Sequence, residues 1–243
     1  MKNLRRYIRY IIAESQNQGR VQKILFLGGL PGGGKSTVVE NLGLDALFTI
    51  CNLDPHYEAG LKRSGIPLDI QTWMSEYSGL KEKAGDPDYV MSTVESKRFH
   101  QLKGWASQNG KIMAREARPL LASDIERALA AGENVIIDGT SASANKILNQ
   151  MDGYESQGYD CGMIMVDISE EFAQERNSSR GKKGGRSLPR GIIWRTSKSL
   201  QVSRVKYQES LDPYWEISNH GTFEEFIEKI AELRTEILEW VHS

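Results

Sequence analysis

The sequence predicts an α/β fold, a mostly parallel sheet flanked by helices in three layers, and three observations predict it. Apolar runs of strand length alternate with stretches of helical periodicity along the chain. The first of these runs leads into a glycine-rich turn, and that turn leads into a helix. The chain has 243 residues, enough to bury a large core as one domain.

The first element expected is an N-terminal amphipathic helix with a linker, residues 1–20. Leu4, Ile8, Ile11 and Ile12 share one helical face, with Lys2, Arg5, Arg6 and Arg9 around the rest. Ser15-Gln16-Asn17-Gln18-Gly19 follows as the linker, and residues 21–243 read as the folded domain. Ile24-Leu25-Phe26-Leu27 is the first buried strand, and residues 37–42 are helix-compatible. Leu47-Phe48-Thr49-Ile50-Cys51 reads as the second strand. Residues 55–87 contain several glycines and prolines, and read as an irregular insertion or cap of mixed short elements. Helical patterns cover residues 89–108 and 112–131, the second closed by Gly132. Asn134-Val135-Ile136-Ile137-Asp138 is the third strand, followed by a helix that Gly158 ends. Cys161-Gly162-Met163-Ile164-Met165-Val166 is the fourth, and Tyr214-Trp215-Glu216-Ile217 is strand-like. The last helix opens on a capping box, Thr222-Phe223-Glu224-Glu225, and runs to Trp240.

Composition excludes several classes. A formal net charge of −1 gives no global attraction to polyanions, so any such attraction must be local. Cys51 and Cys161 each lie in an apolar run and read as unpaired buried thiols, which suits a reducing cytoplasm. No apolar run approaches the length of a membrane span.

The glycine-rich turn is Gly29-Leu30-Pro31-Gly32-Gly33-Gly34-Lys35-Ser36-Thr37, which fits G-x-x-x-x-G-K-S, the P-loop pattern. Gly29, Gly32, Gly33 and Gly34 let successive backbone N–H groups turn inward around phosphate oxygens, and the helix beyond them adds its positive dipole end. Lys35 reaches the β- and γ-phosphates, the Ser36 hydroxyl holds Mg²⁺, and Thr37 lies at the α-phosphate. A chance glycine-rich turn is the competing explanation, and the strand before and helix after argue against it. The expected ligand is ATP, with GTP the alternative.

Transfer of a γ-phosphoryl group needs positioning, spread positive charge and a carboxylate to take the proton of a hydroxyl acceptor. Asp54, in Asn52-Leu53-Asp54-Pro55, comes after the second strand, at the sheet edge where ligands bind in doubly wound folds. It is the candidate base; a turn aspartate before proline is the competing explanation. Asp138 ends the third strand before Gly139-Thr140 and resembles a Walker-B acid that holds Mg²⁺ beside Ser36; a helix N-cap is its alternative. From Arg176 to Lys206 there are ten lysines and arginines and no Asp or Glu. With Gly181, Gly184 and Gly185 at its centre, residues 176–190 read as a glycine-hinged basic lid over ATP. Arg176 and Arg186 are its expected phosphate contacts and Arg180 a further nucleotide contact; a solvated basic surface is the alternative.

A second basic stretch comprises Lys97, Arg98, Lys103, Lys111, Arg115 and Arg118, with only Glu95 and Glu116 as local acids. Trp73, Tyr77 and Trp105 offer base-stacking surfaces or core packing. Asn219-His220-Gly221 is a candidate base-facing loop.

These residues also carry a family resemblance. From Lys23 to about Leu200 the chain resembles the zeta-toxin-like P-loop kinases. The matching points are the P-loop, Asn52-Leu53-Asp54, Asn134-Val135-Ile136-Ile137-Asp138-Gly139-Thr140, Gly158-Tyr159, Glu175-Arg176 and Gly185-Arg186-Ser187-Leu188-Pro189. The resemblance implies a P-loop kinase fold, Lys35 on phosphate, Asp54 as base, and Arg176 and Arg186 as lid arginines. That family commonly has Glu before Gly-Thr where this chain has Asp138, which leaves open whether Asp138 meets metal or acceptor. Residues 55–110, where the acceptor should bind, carry no match.

The acceptor has three readings. A nucleic-acid or nucleotide-type acceptor (a 5′-hydroxyl end of DNA or RNA, or a hydroxymethylated base in phage DNA) would use the surplus cations. A small molecule is second, since the best-known relatives phosphorylate a UDP-linked amino sugar and pair with an antitoxin. An NTP-hydrolysing switch, or a structural protein with a disused P-loop, is the reading from another class. The N-terminal Ile12-Ala13-Glu14 resembles the cleavage point of leader peptides on tailed-phage head proteins, which would make a phage head the partner.

Overall fold

In this computed structural model, residues 21–243 are described. The expected N-terminal helix and linker lie outside them. Among the described residues, five strands form a single sheet: β1 (Lys23–Gly29), β2 (Thr49–Asn52), β3 (Val135–Asp138), β4 (Asp160–Asp167) and β5 (Tyr214–Ser218). Their order is β2-β3-β1-β4-β5, with β1 parallel to β3 and β4, and β4 parallel to β5. A single sheet of parallel neighbours flanked by helices is the α/β fold that the sequence predicts. The helices are α1 (Lys35–Leu42), α2 (Leu53–Arg63), α3 (Ile70–Gly85), α4 (Thr93–Ile112), α5 (Arg118–Ala130), α6 (Ala144–Glu155), α7 (Glu170–Lys182), α8 (Arg190–Ser210) and α9 (Phe223–His242).

The described chain divides into two compact units. The first holds residues 21–51, Ser123–Ser169 and Thr196–Ser243; the second holds Asn52–Ala122 and Glu170–Arg195.

In the first unit, all seven residues of β1 are buried, which marks the central strand of a sheet covered on both faces. Leu25 and Leu27 of β1 meet Val38 and Leu42 of α1 and Ile230 and Ile237 of α9 in one core. On the opposite face, Phe26 lies 6.4 Å from the Tyr154 ring of α6. Each such buried side chain contributes about 1.5–3 kcal/mol. The Thr222–Glu225 capping box opens α9 as the sequence predicts. Gly132 and Gly158 end their helices with positive φ, at 75° and 89°. Cys51 and Cys161 are unpaired and buried, and burial pushes their thiols up to about 11 and about 12. The second strand starts two residues later than predicted. Leu47 and Phe48 close a 3₁₀ turn on the Leu44 carbonyl, so Phe48 reaches the core from a turn.

The second unit holds the larger departure. Residues 55–87 are not irregular: α2 and α3 occupy most of them. Pro55 is the third residue of α2, where its missing N–H would have had no helical partner anyway. Asn52 caps that helix by accepting from the Asp54 N–H at 2.8 Å, and Asp69 caps α3. The break predicted near Gly110 is also absent. Helix α4 runs to Ile112 and passes through a π turn, Met113–Ala117, into α5. Pro119 comes just after that turn, and the wider backbone there accommodates a residue that cannot donate a helical hydrogen bond. Tyr57, Leu61, Ile70, Trp73, Leu102 and Ile112 form this unit's core. Among the described residues, no helix is long and apolar enough to cross a membrane.

Gly60 lies where α2 meets α4, and an added Cβ there would sit 2.4 Å from Ile112 Cγ2. In an exposed helix Gly→Ala stabilises by about 1 kcal/mol. Here we expect Gly60→Ala to destabilise by about 1–3 kcal/mol, as overpacking does, read as a lower urea midpoint. An unchanged or raised midpoint would contradict the packing.

Candidate active site

In the first unit the candidate site begins where β1 leaves the sheet. Gly29 pairs with Val166 and has φ 135°, and a Cβ on it would lie 2.4 Å from the Val166 carbonyl oxygen. The turn closes with Gly33 N–H donating to the Leu30 carbonyl at 3.0 Å. Gly34 has φ 97°, and its Cβ would meet the Asn219 amide and the Phe226 ring. Lys35 opens α1, with Ser36 exposed and Thr37 half-buried behind it. Lys35 Nζ lies 3.3 Å from the Gly29 carbonyl and 3.9 Å from Asp138 Oδ1. The register explains that meeting: Leu27 of β1 stands opposite Asp138 of β3, so strand end and P-loop share one sheet edge.

Two buttresses of this turn were not read from the sequence. Asn219 is buried, and its Nδ2 donates to the Gly33 carbonyl at 2.7 Å. Its N–H donates to the Asp167 carbonyl at 2.7 Å. Asn219 therefore faces the P-loop backbone rather than a base. Asp167 in turn pairs with Arg204 at 2.6 Å and with His220 at 2.8 Å, and Arg204 also binds Glu216. Arg204, one of the ten cations counted from Arg176 to Lys206, is thus committed within the sheet unit. The signal that could have found Asp167 was present: it ends β4 as Asp138 ends β3.

In the second unit, Asp54 occupies the first turn of α2. One of its oxygens accepts from Arg186 Nη2, and its side chain remains 37% exposed. Arg186 is almost wholly buried; its Nε lies 3.7 Å from Glu58 Oε1, and its guanidinium lies 5.6 Å from the Tyr57 ring centre. Burial raises the Tyr57 pKa, against the opposing effect of Arg186. The backbone on the far side of Arg186 is pinned. Ser187 donates from N–H to the Leu68 carbonyl at 3.0 Å, its hydroxyl binds Asp69, and Leu188 N–H donates to Asn177 Oδ1 at 2.8 Å.

The hinge predicted for residues 176–190 is largely helix. Arg176, Arg180, Gly181 and Lys182 belong to α7, and a Cβ on Gly181 would lie 2.8 Å from Asp69 Oδ1. Gly184, at φ 80°, and Gly185 end α7 by donating to the Gly181 and Arg180 carbonyls at 3.0 and 2.9 Å, a Schellman cap. Arg176, Ser179, Arg180, Lys183 and Gly185 line a cavity of about 390 Å³. Neither Arg186 nor Lys182 is among its walls.

The second basic stretch is less free than its composition suggests. Arg98 Nε donates to Glu76 at 2.7 Å, and its guanidinium lies 5.2 Å from the Trp105 ring centre. Glu76 comes from α3, distant in sequence. Trp73 is buried and donates to the Pro67 carbonyl, with Trp105 edge-on at 5.9 Å; Tyr77 stacks on Phe99. These rings pack against the core and each other.

The AAA_33 family of AAA domains matches residues 24–201, and the chain belongs to that family. No curated protein matches its sequence. Among solved structures, a proposed kinase from Chloroflexus aurantiacus is 14% identical with a TM-score of 0.51, over 91% of this chain and 98% of that one. A gluconokinase from Sinorhizobium meliloti 1021 is 12% identical with a TM-score of 0.49, over 92% of this chain and 97% of its own. A chain of the Pnkp1/Rnl/Hen1 RNA repair complex is 19% identical with a TM-score of 0.47, over 79% of this chain. The match covers only 48% of that longer chain. At these identities the likeness to the Chloroflexus protein speaks for the fold alone.

Asn219→Ala would leave the buried Gly33 carbonyl without its side-chain donor. Stability should fall by about 1–3 kcal/mol in urea titration, and nucleotide should bind more weakly. Wild-type values for both would show that the P-loop does not depend on this contact.

Proposed function

We propose that this AAA_33 protein is an ATP-dependent kinase that transfers the γ-phosphoryl group to a hydroxyl, with a nucleic-acid or nucleotide-type acceptor. The observation that carries the kinase reading is Asp54 itself. One oxygen is held by the buried Arg186, and the carboxylate remains 37% exposed. A carboxylate so held is suited to accept a hydroxyl proton. The zeta-toxin-like resemblance assigns Asp54 the same role.

In this reading the P-loop glycines, Lys35 and Thr37 bind the nucleotide phosphates. Ser36 and Asp138 offer Mg²⁺ a hydroxyl and a carboxylate, which suits an ion that completes its shell with phosphate oxygens and water. An ion bound there would offset the negative charge of the phosphates. The acceptor oxygen bonds to the γ-phosphorus as its proton passes to Asp54, the bond to the bridging oxygen breaks, and ADP leaves. Arg176 and Arg180 supply positive charge to phosphate oxygens.

The acceptor class rests on Lys183, which shares a cavity with Arg176 and Arg180 and adds a cation beyond the two assigned to the nucleotide. A small acceptor such as a UDP-amino sugar is the second reading, favoured by the tie between Arg98 and Glu76, which neutralises part of the other basic stretch. The deciding experiment is transfer of labelled γ-phosphate to 5′-hydroxyl oligonucleotides, hydroxymethylated DNA, nucleosides and UDP-sugars. Lys35→Ala should abolish transfer with the fold intact. Asp54→Asn should lower it roughly a hundredfold or more while ATP affinity holds. ATP turnover that no acceptor stimulates, but a protein partner does, would mean a switch instead.

The cavity separates two neighbouring lysines. Lys183→Ala should flatten the salt dependence of oligonucleotide binding by about one unit on a log–log plot. Lys182→Ala should change it less, because Lys182 does not line the cavity. Equal effects, or none, would move the assignment toward the small acceptor.

A further inference from the structure

We infer that Glu58 is a positioning residue for the proposed base: by sharing Arg186 with Asp54, it keeps the Asp54 carboxylate ready to accept a proton. The inference rests on the kinase reading of Asp54 and adds a residue to it. Asp54 and Glu58 are four apart in α2, so they project from one helical face. Arg186 enters between them with its side chain only 7% exposed. Its Nη2 binds Asp54, whereas its buried Nε has no hydrogen bond and lies 3.7 Å from Glu58 Oε1. Two carboxylates therefore draw on one guanidinium, and the cluster carries one surplus negative charge when all three groups are ionised.

That surplus matters for proton transfer. A guanidinium devoted to Asp54 alone would stabilise its ionised form and make it a poor base. A second carboxylate on the same guanidinium draws part of that stabilisation away, and its own charge also disfavours ionised Asp54. The other groups around the cluster do not supply this balance. Tyr57 lies against Arg186, and burial raises its pKa, so the ring stays neutral. Its hydroxyl binds Asn109 of α4, an uncharged partner. Glu116, on the π turn that packs against α2, is committed to Arg63 at 2.7 Å. His56 stands next to Tyr57 in the same helix, on a different face from Asp54 and Glu58. Among the described residues, Glu58 is the second carboxylate within reach of Arg186.

The test needs no acceptor. Carboxyl-carbon NMR of the full chain tracks the Asp54 signal with pH, assigned by its loss in Asp54→Asn. In Glu58→Gln the Asp54 midpoint should fall by about one pH unit, since a neighbouring negative charge is lost and Arg186 is left to Asp54. Glu58→Ala should move it the same way. An unchanged or raised midpoint in both, with a wild-type melting temperature, would overturn the inference.

Kinetics on whichever acceptor the transfer panel identifies add a second readout. Glu58→Gln should lower kcat with little change in the acceptor KM and draw the acidic limb of the pH profile downward. In an Asp54→Asn background it should add nothing; a further loss there would mean that Glu58 acts on the fold and not through Asp54. An Asp54→Asn enzyme with full activity would instead sink the kinase reading, whatever the NMR midpoint does.

Discussion

The P-loop depends on one constraint, the close approach of Gly29 to the Val166 carbonyl at the end of β1. The strand is buried along its whole length, so its chain cannot drift outward before turning. It must turn at once, with positive φ, beside a neighbouring carbonyl that leaves no room for a Cβ. That turn has geometric consequences. Lys35 begins α1, and Asp138 arrives on the adjacent strand at the same level. Asn219 then closes the turn from β5's side, so β3, β4 and β5 all meet the turn that leaves β1.

The sheet was legible because its signals are local. Four-residue apolar runs, Gly132 and Gly158 as stops, and the Thr222–Glu225 capping box each act within one turn or one strand. The second unit was less legible for the converse reason. Pro55 and the glycines of residues 55–87 read as breakers, yet a proline in a first turn costs a helix little. Gly60 is tolerated because its missing side chain lets α2 approach Ile112. Tertiary packing outweighed propensity there, and no single window of sequence contains both partners.

The charge run shows the same limit at the level of the site. Counting cations from Arg176 to Lys206 found no acids nearby, but ion pairs form in space. Arg204 finds Asp167 and Glu216, and Arg186 finds Asp54 across 132 positions of sequence. Arg176, Arg180 and Lys183 line one cavity, and Lys198 and Lys206 line another. Arg180 and Lys182 also lie in the last turn of α7, where positive charge offsets the helix dipole. Their place is therefore stabilising in itself, before any phosphate binds. Composition located the segment, and the contacts divide it into cations with different tasks.

The division bears on how Arg186 can act. A lid arginine must travel with its loop, and this one sits in a segment held from two sides. Moving it would break the contacts of the buried Ser187 to Leu68 and Asp69 and the Leu188 contact to the buried Asn177. Leaving such groups unpaired costs about 1–3 kcal/mol each. Drawing the guanidinium away from Asp54 and Glu58 adds to that cost. Any motion of this segment would have to offset that cost. A fixed Arg186 avoids the cost, because an arginine that already holds Asp54 contributes by staying where it is.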